Sequence, residues 1–459
     1  MVSAIDQTIL FTLPIELRQL IYREVLASPS HGPELLITCR NIYMEAHEIL
    51  FERPLRFRSQ SALFDWLDKV PHKPLSQPKE LSITIQEADL RSLLAVPALT
   101  HHPSNPPQLL TWELYEIELR KLYSALGHLP RIEKITIRTI VGRQSFLYRE
   151  FLRKFLILAT LRYPYLLVIH LEGNFYHQSL KFLSGFKYLQ ELSFDGCSAS
   201  TPKETTQILS GLKHFTTLSI VSQNTMLAPK RHSCCNFTSK SQFLAEGAVS
   251  TIDQLKAFLV TEAMPVSAPS LFLTSKFLMP FCDHRGLKDF RVCLSQTPSN
   301  ETMLALEDFL GSTRIKVLSL DWPHLDSNVL KAFLLISDCL GTLWIRARSA
   351  MDAFEIIWHI AENRNAGDYH ALTELVLLRS TQSYKNIAHM NDRKDSGAGS
   401  AQCCDNRVSH LYEDLSSHVP EADAIPKADP ESETNTYGVA RAQLRLRDLG
   451  TQVSWCTES

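Results

Sequence analysis

Leu166-x-x-Ile169-x-Leu171-x-x-Asn174, Leu189-x-x-Leu192-x-Phe194-x-x-Cys197 and Phe215-x-x-Leu218-x-Ile220-x-x-Gln223 are three copies of one short pattern near the middle of a 459-residue chain. Their central residues step by 23 positions (169 to 192) and then 26 (192 to 218). Apolar side chains at alternate positions predict a short strand with one buried face. The Asn or Cys three residues on suits the turn where the chain leaves that strand. The same frame fits Pro78-x-x-Leu81-x-Ile83 and Ile132-x-x-Ile135-x-Ile137 upstream. Downstream it fits Leu287-x-x-Phe290-x-Val292, Ile315-x-x-Leu318-x-Leu320, Leu340-x-x-Leu343-x-Ile345 and Leu372-x-x-Leu375-x-Leu377. The last four step by 28, 25 and 32 residues. Two intervals are long, 54 residues from 81 to 135 and 72 from 218 to 290, and each has room for a missed repeat or an inserted loop.

Spacing and form together resemble the leucine-rich repeat. Helical patterns fall between the strands, at Leu109–Leu126, Phe146–Leu161, Pro202–Leu209, Thr302–Leu310, Ser327–Ser337 and Ala353–Glu362. The expected fold class is therefore α/β: a leucine-rich-repeat-like solenoid over 61–380, with a curved parallel sheet and outer helices. Residues 222–250 read as a polar inserted loop, followed by a helix over 251–260. The segment Arg56–Leu67 reads as a strand end leading into a helix capped by Ser59, covering the first repeat. After Leu378 the pattern stops. Residues 381–459 are rich in Asp, Glu, Ser and Pro and are expected to be mostly disordered, with one short amphipathic helix through Val439, Leu444, Leu446 and Leu449.

Residues 10–60 differ in kind. Thr12 as N-cap, Pro14 in the first turn and Glu16 near the dipole's positive end predict a helix. Leu17, Leu20, Ile21 and Leu26 line it at helical spacing. Ser28-Pro29-Ser30-His31-Gly32-Pro33 ends it. A second helix is expected from Leu35 to Leu50, with Cys39, Ile42, Tyr43 and Ala46 on its apolar side. The pair carries more apolar surface than two helices hide from each other.

These residues also carry a resemblance. Leu13-Pro14-x-Glu16-Leu17, Ile21 and Leu36-x-x-Cys39-Arg40-x-Ile42-Tyr43 resemble an F-box, most closely the form found in fungal F-box domain-containing proteins. Arg18 stands where many F-boxes carry an apolar residue. The resemblance implies a module that binds a Skp-type adaptor through Leu13, Pro14, Leu17, Ile21, Leu36 and Cys39. It further implies a cullin complex beyond that adaptor, and a protein substrate captured by the repeats for ubiquitin transfer. An alternative reading is a repeat scaffold, without a ubiquitin-ligase role, whose helical module caps the solenoid.

Bulk properties narrow the alternatives. A formal net charge of -2 offers no basic field for nucleic acid or an anionic membrane. The N-terminus lacks a secretory pattern, and charges interrupt the apolar run from Phe146 to Leu171, so no membrane partner and a cytoplasmic or nuclear location are expected. Ten cysteines over this length form no disulfide framework. His232-x-Cys234-Cys235 and Cys403-Cys404 lack the spacing of a zinc site, and His47-Glu48 lacks a second histidine. Neither a phosphate-binding glycine loop nor a nucleophile elbow is present, so no cofactor, metal or catalytic residue is expected. Recognition is what remains. Residues between the apolar strand positions should face the open side of the sheet. Arg138, Glu172, Asp195, Arg291, Trp344 and Arg346 are the candidate substrate contacts, with Glu172, Glu191 and Asp195 as an acidic centre flanked by Arg138 and Arg291, and Trp344 as an exposed anchor.

Overall fold

The computed structural model describes residues 10–27, 32–71, 73–88, 107–140, 144–223, 242–244, 249, 252–263, 270–322, 339–347, 350–366, 369–379, 443, 445–447 and 449–457. The chain forms two compact units, Met1–Ile315 and Lys316–Ser459.

In the first unit the strands are β1 (Leu55–Phe57), β2 (Glu80–Ile85), β3 (Lys134–Thr139), β4 (Val168–Glu172), β5 (Glu191–Phe194), β6 (Cys197–Ser198), β7 (Thr217–Gln223), β8 (Gln242–Phe243), β9 (Ala257–Ala263) and β10 (Asp289–Leu294). Eight of them form a parallel sheet in the order β1-β2-β3-β4-β5-β7-β9-β10. The short β6 and β8 pair antiparallel beside it. The register follows the sequence frame. Leu81 lies beside Ile135, Ile135 beside Ile169, Ile169 beside Leu192, and Leu192 beside Leu218. These side chains and their partners two residues on, such as Ile83, Ile137 and Ile220, are all but inaccessible to solvent. Stacking one apolar position per strand removes each from water against its neighbours, which ties every copy to the next.

The ladder continues through a strand that the sequence reading assigned to a helix. Phe258 on β9 pairs with Leu218 on one side and Phe290 on the other, so Leu255-x-x-Phe258-x-Val260 is a further copy of the frame. The long 218–290 interval thus holds a missed repeat. The 81–135 interval does not, because β2 and β3 pair directly and the helix Pro107–Gly127 fills part of the span. Helices Phe146–Arg162, Pro202–Ser210 and Asn300–Ser312 agree with the sequence reading to within two residues. Each starts on a hydroxyl cap: Ser145 accepts from the Tyr148 N–H, Thr201 from Glu204 and Ser299 from Thr302. Phe151, Phe155, Phe309 and other apolar residues of these helices form the core over the sheet. Ser59 caps the helix Gln60–Leu67 as expected, while β1 joins the sheet from the N-terminal side of the boundary drawn at residue 60.

In the second unit β11 (Val317–Asp321), β12 (Thr342–Ala347), β13 (Glu374–Arg379) and β14 (Gln452–Thr457) are parallel neighbours, with Leu318, Leu343, Leu375 and Val453 in register. The helix Ala350–Ala366 bounds β12. β14 is a strand that the sequence reading did not place within 381–459. Leu446 is fully buried, Gly450 turns the chain at φ 80°, and the Gln452 N–H donates to the Thr373 carbonyl at the start of the β13–β14 ladder. The helix expected over Ser327–Ser337 and both cysteine pairs in 234–235 and 403–404 lie outside the described residues.

Candidate protein-binding surfaces

The N-terminal helix Ile15–Ala27 begins where the Leu17 and Arg18 N–H groups both donate to the Pro14 carbonyl. The second helix of the sequence reading is broken. Cys39, extended at φ −159°, separates Gly32–Leu36 from Arg40–Ala46, and a 3₁₀ turn, Ile49–Glu52, follows. Thr38 at this break donates its hydroxyl to the Leu35 carbonyl, a local bond that competes with helix continuation. Tyr22, Leu26, Ile42, Ala46 and Ile49 form the core of this module, with Leu36 and Cys39 packed partly buried against it.

Arg18 is held by bonds within this module. Its guanidinium makes a bidentate pair with Glu45, at 2.7 and 2.9 Å, and donates to the carbonyls of Leu13 and Phe11. The Tyr22 hydroxyl donates to the same carboxylate at 2.9 Å. The Arg18 bonds hold the Glu45 carboxyl below its ordinary value, while burial, then the Glu45 bond, push the Tyr22 hydroxyl up to about 12. Arg18 and Glu45 together thereby tie the first helix, the chain before it and the third helix into one body.

That body leaves an apolar face open. A helix turns about 100° per residue, which places Leu17, Leu20 and Ile21 on the side opposite Tyr22 and Leu26. Their exposures are 47%, 55% and 39%, against 0% for both core residues. Met44 on the third helix is 62% exposed, and Ile37 at the break 84%. Of the six sequence-predicted contacts, Leu17, Ile21 and Pro14 stand exposed; Leu13, Leu36 and Cys39 are half-buried. Leu20, which the sequence reading placed on the apolar face but not among the adaptor contacts, belongs with the exposed set.

The sheet face is different from its sequence reading. Arg138 and Glu172 are register partners on β3 and β4 and form an ion pair. His170 Nε2 lies 2.9 Å from Glu191 on β5, and Lys134 pairs with Glu80 at 3.5 Å. Arg291 makes a bidentate pair with Asp289 two residues before it. Opposite charges neutralise one another across strands at Lys134–Glu80 and Arg138–Glu172 and within β10 at Asp289–Arg291. Asp195 is not part of this face: it follows β5, is 3% exposed, and accepts the Cys197 N–H at 3.0 Å. Burial raises its carboxyl to about 7. The structure does not bring the three acids of the sequence reading together as an open centre: Glu172 pairs with Arg138, Glu191 lies against His170, and Asp195 is buried. In the second unit Arg346 is 5% exposed and clasps Asp321 through both carboxylate oxygens, so it too is no open contact. Trp344 is half-buried between Ser319 and Val376 rather than exposed.

A second row of side chains escaped the sequence reading. Tyr165, Tyr188 and His214 each stand four residues before a central strand residue, Ile169, Leu192 and Leu218. Because those residues are in register, the rings stack: Tyr165 on Tyr188 at 5.4 Å between centroids, and Tyr188 on His214 at 5.2 Å. The signal was the common offset of ring-bearing residues from the frame.

Compared with models of known protein families and with curated proteins, the chain matches none. Among the described residues no helix is long and apolar enough to cross a membrane.

Proposed function

We propose that this chain is a substrate receptor of a cullin-based, SCF-type ubiquitin ligase, acting in the cytoplasm or nucleus. In this reading the module over residues 10–60 is F-box-like and docks a Skp-type adaptor. The repeated strands are a leucine-rich-repeat-like solenoid that captures a protein substrate, and the chain itself performs no chemistry. The observation that carries the reading is the outward face of Leu17, Leu20 and Ile21 on a helix whose opposite side already holds Tyr22 and Leu26. A helix apolar on both sides is stable in water only at a cost, and such a face marks a contact with another protein. The sequence resemblance names the partner, and the in-register apolar ladder supports the repeat assignment.

The test is co-purification of a Skp-type adaptor with the full chain and with a Leu17→Asp/Ile21→Asp variant. Both residues are exposed, so the melting temperature should stay within a few degrees of the parent. Binding should be lost, because the docked state would bury two carboxylates. An adaptor that binds both proteins equally refutes the assignment and leaves the scaffold reading in its place.

A further inference from the structure

We propose that the ring stack Tyr165–Tyr188–His214, with Lys187 and Lys213 beside it, is the surface that takes the substrate, and that it takes an acidic, aromatic-containing segment of a partner protein. This inference rests on the substrate-receptor reading and assigns its capture site to the turns that lead into β4, β5 and β7, away from the sheet face. Three observations combine.

The first is exposure. Tyr165 is 67% and Tyr188 42% exposed, although both are large rings on a well-packed body. The stack spans two strand steps of about 5 Å, so it is a strip fixed by the sheet beneath it. Rigid rings lose little side-chain entropy on contact, which suits them to recognition.

The second is charge. Residues 163–167, 185–190 and 211–216 contain Lys187 and Lys213 and no acid. Both lysines are exposed, and each precedes a stacked ring by one position; the same offset holds Pro164 before Tyr165 and Asp253 in the turn before β9. Neither has an ion pair among the described residues. Arg162, at the start of the first of these turns, lies flat on Tyr123 at 3.7 Å, where cation–π attraction holds it. On the sheet face the charges cancel in pairs; here they do not. Charge complementarity therefore selects an anionic partner.

The third decides between a peptide and single-stranded nucleic acid. Bases bind by stacking on open ring faces. In this strip the inner ring faces already cover one another, with interplanar angles of 29° and 17°. Only the outer faces of the two end rings, Tyr165 and His214, are left for stacking, too few for a run of successive bases. Two lysines are also too few to draw a polyphosphate to a chain of net charge -2. An acidic peptide with one aromatic or apolar anchor fits both the charge and the limited open ring surface.

The experiment pans a displayed library of random twelve-residue peptides on the full chain and on two variants, Lys187→Glu/Lys213→Glu and Tyr165→Ala/Tyr188→Ala. Anisotropy of labelled oligo-dT of twenty nucleotides runs in parallel. The expected result is enrichment of Asp and Glu together with Phe, Tyr or Trp on the parent chain. That enrichment should disappear on the lysine variant, and affinity for a selected peptide should fall about tenfold on the tyrosine variant. Enriched peptides without an acidic excess, no enrichment, enrichment kept on the lysine variant, or oligo-dT binding tighter than any peptide would each overturn the proposal. Adaptor co-purification is measured on the same proteins. Its loss from the parent chain refutes the ligase reading alone, while its persistence on variants that lose peptide binding separates the two surfaces.

Discussion

Replacing Arg346 by Met tests whether this residue is a clasp within the second unit or a contact for a substrate. Arg346 and Asp321 have side chains 5% exposed, and the guanidinium reaches both carboxylate oxygens from the adjacent strand. Removing the cation leaves a buried carboxylate that has lost its bidentate partner, which costs about 3–5 kcal/mol. At about 1.4 kcal/mol per tenfold, amide exchange in β11 and β12 should accelerate roughly a hundredfold to a few thousandfold. Hydrogen exchange followed by mass spectrometry on the full chain reads this directly in the peptides covering 317–321 and 342–346. The double variant Asp321→Leu/Arg346→Met should recover most of the protection, because apolar residues of similar volume replace a buried pair at little net cost. A solvent-facing recognition residue behaves otherwise. If Arg346→Met accelerates exchange less than about tenfold, and the double variant is no better than the single, the pair is not a buried clasp and the sequence reading of Arg346 returns.

Three further outcomes follow from the same geometry. Asp195 is held protonated by burial up to about pH 7, whereas an unfolded aspartate titrates near 3.9; its folded state binds the extra proton, so it subtracts stability as pH rises from about 4 to 7. Asp195→Asn, which can still accept the Cys197 N–H, should flatten that slope in urea unfolding measured at pH 5, 6 and 7.5. Gly196→Ala should destabilise strongly, since φ is +79° and the new methyl would lie 2.2 Å from the Phe272 ring; Phe272→Leu should recover part of the loss of melting temperature, the steric part, and leave the backbone part. Ending the chain at residue 380 removes β14 and the fully buried Leu446, whose burial alone is worth about 1.5–3 kcal/mol. Limited proteolysis should then cut β13, and an unchanged digestion pattern would show that β14 contributes nothing to the second unit.

The fold was legible where one physical signal dominated. Alternating apolar residues at a fixed offset located Leu81, Ile135, Ile169, Leu192, Leu218, Phe290, Leu318, Leu343 and Leu375, and in each unit these stack in register. Phe258 was missed because Ile252, Leu255, Phe258 and Leu259 also satisfy three- and four-residue helical spacing. A short apolar run fits both periods. Only the position of its neighbours in the sheet decides between them. β14 was missed for another reason. It follows a long polar stretch rich in Pro, Ser and acids, and its alternation is too short to stand out beside that composition. The buried Leu446 and the Gly450 turn that bring it back to β13 are tertiary facts.

The candidate surfaces were legible in proportion to how little they depended on register. The N-terminal face is local: one helix carries Leu17, Leu20 and Ile21, and a surplus of apolar residues in fifty residues is visible without a sheet. The strand charges are not local. Arg138 and Glu172 stand 34 residues apart and His170 and Glu191 21 apart, each roughly one repeat, so each carboxylate meets its partner only when the strands stack. Read singly, such residues look like an open electrostatic site; read in register, they cancel. The same stacking has the opposite consequence in the turns, where identical offsets carry Lys187 beside Tyr188 and Lys213 beside His214. A repeat therefore neutralises whatever alternates in sign from copy to copy and accumulates whatever recurs. That difference, rather than the number of charges on either face, is what makes the turn row the stronger candidate for binding an acidic partner.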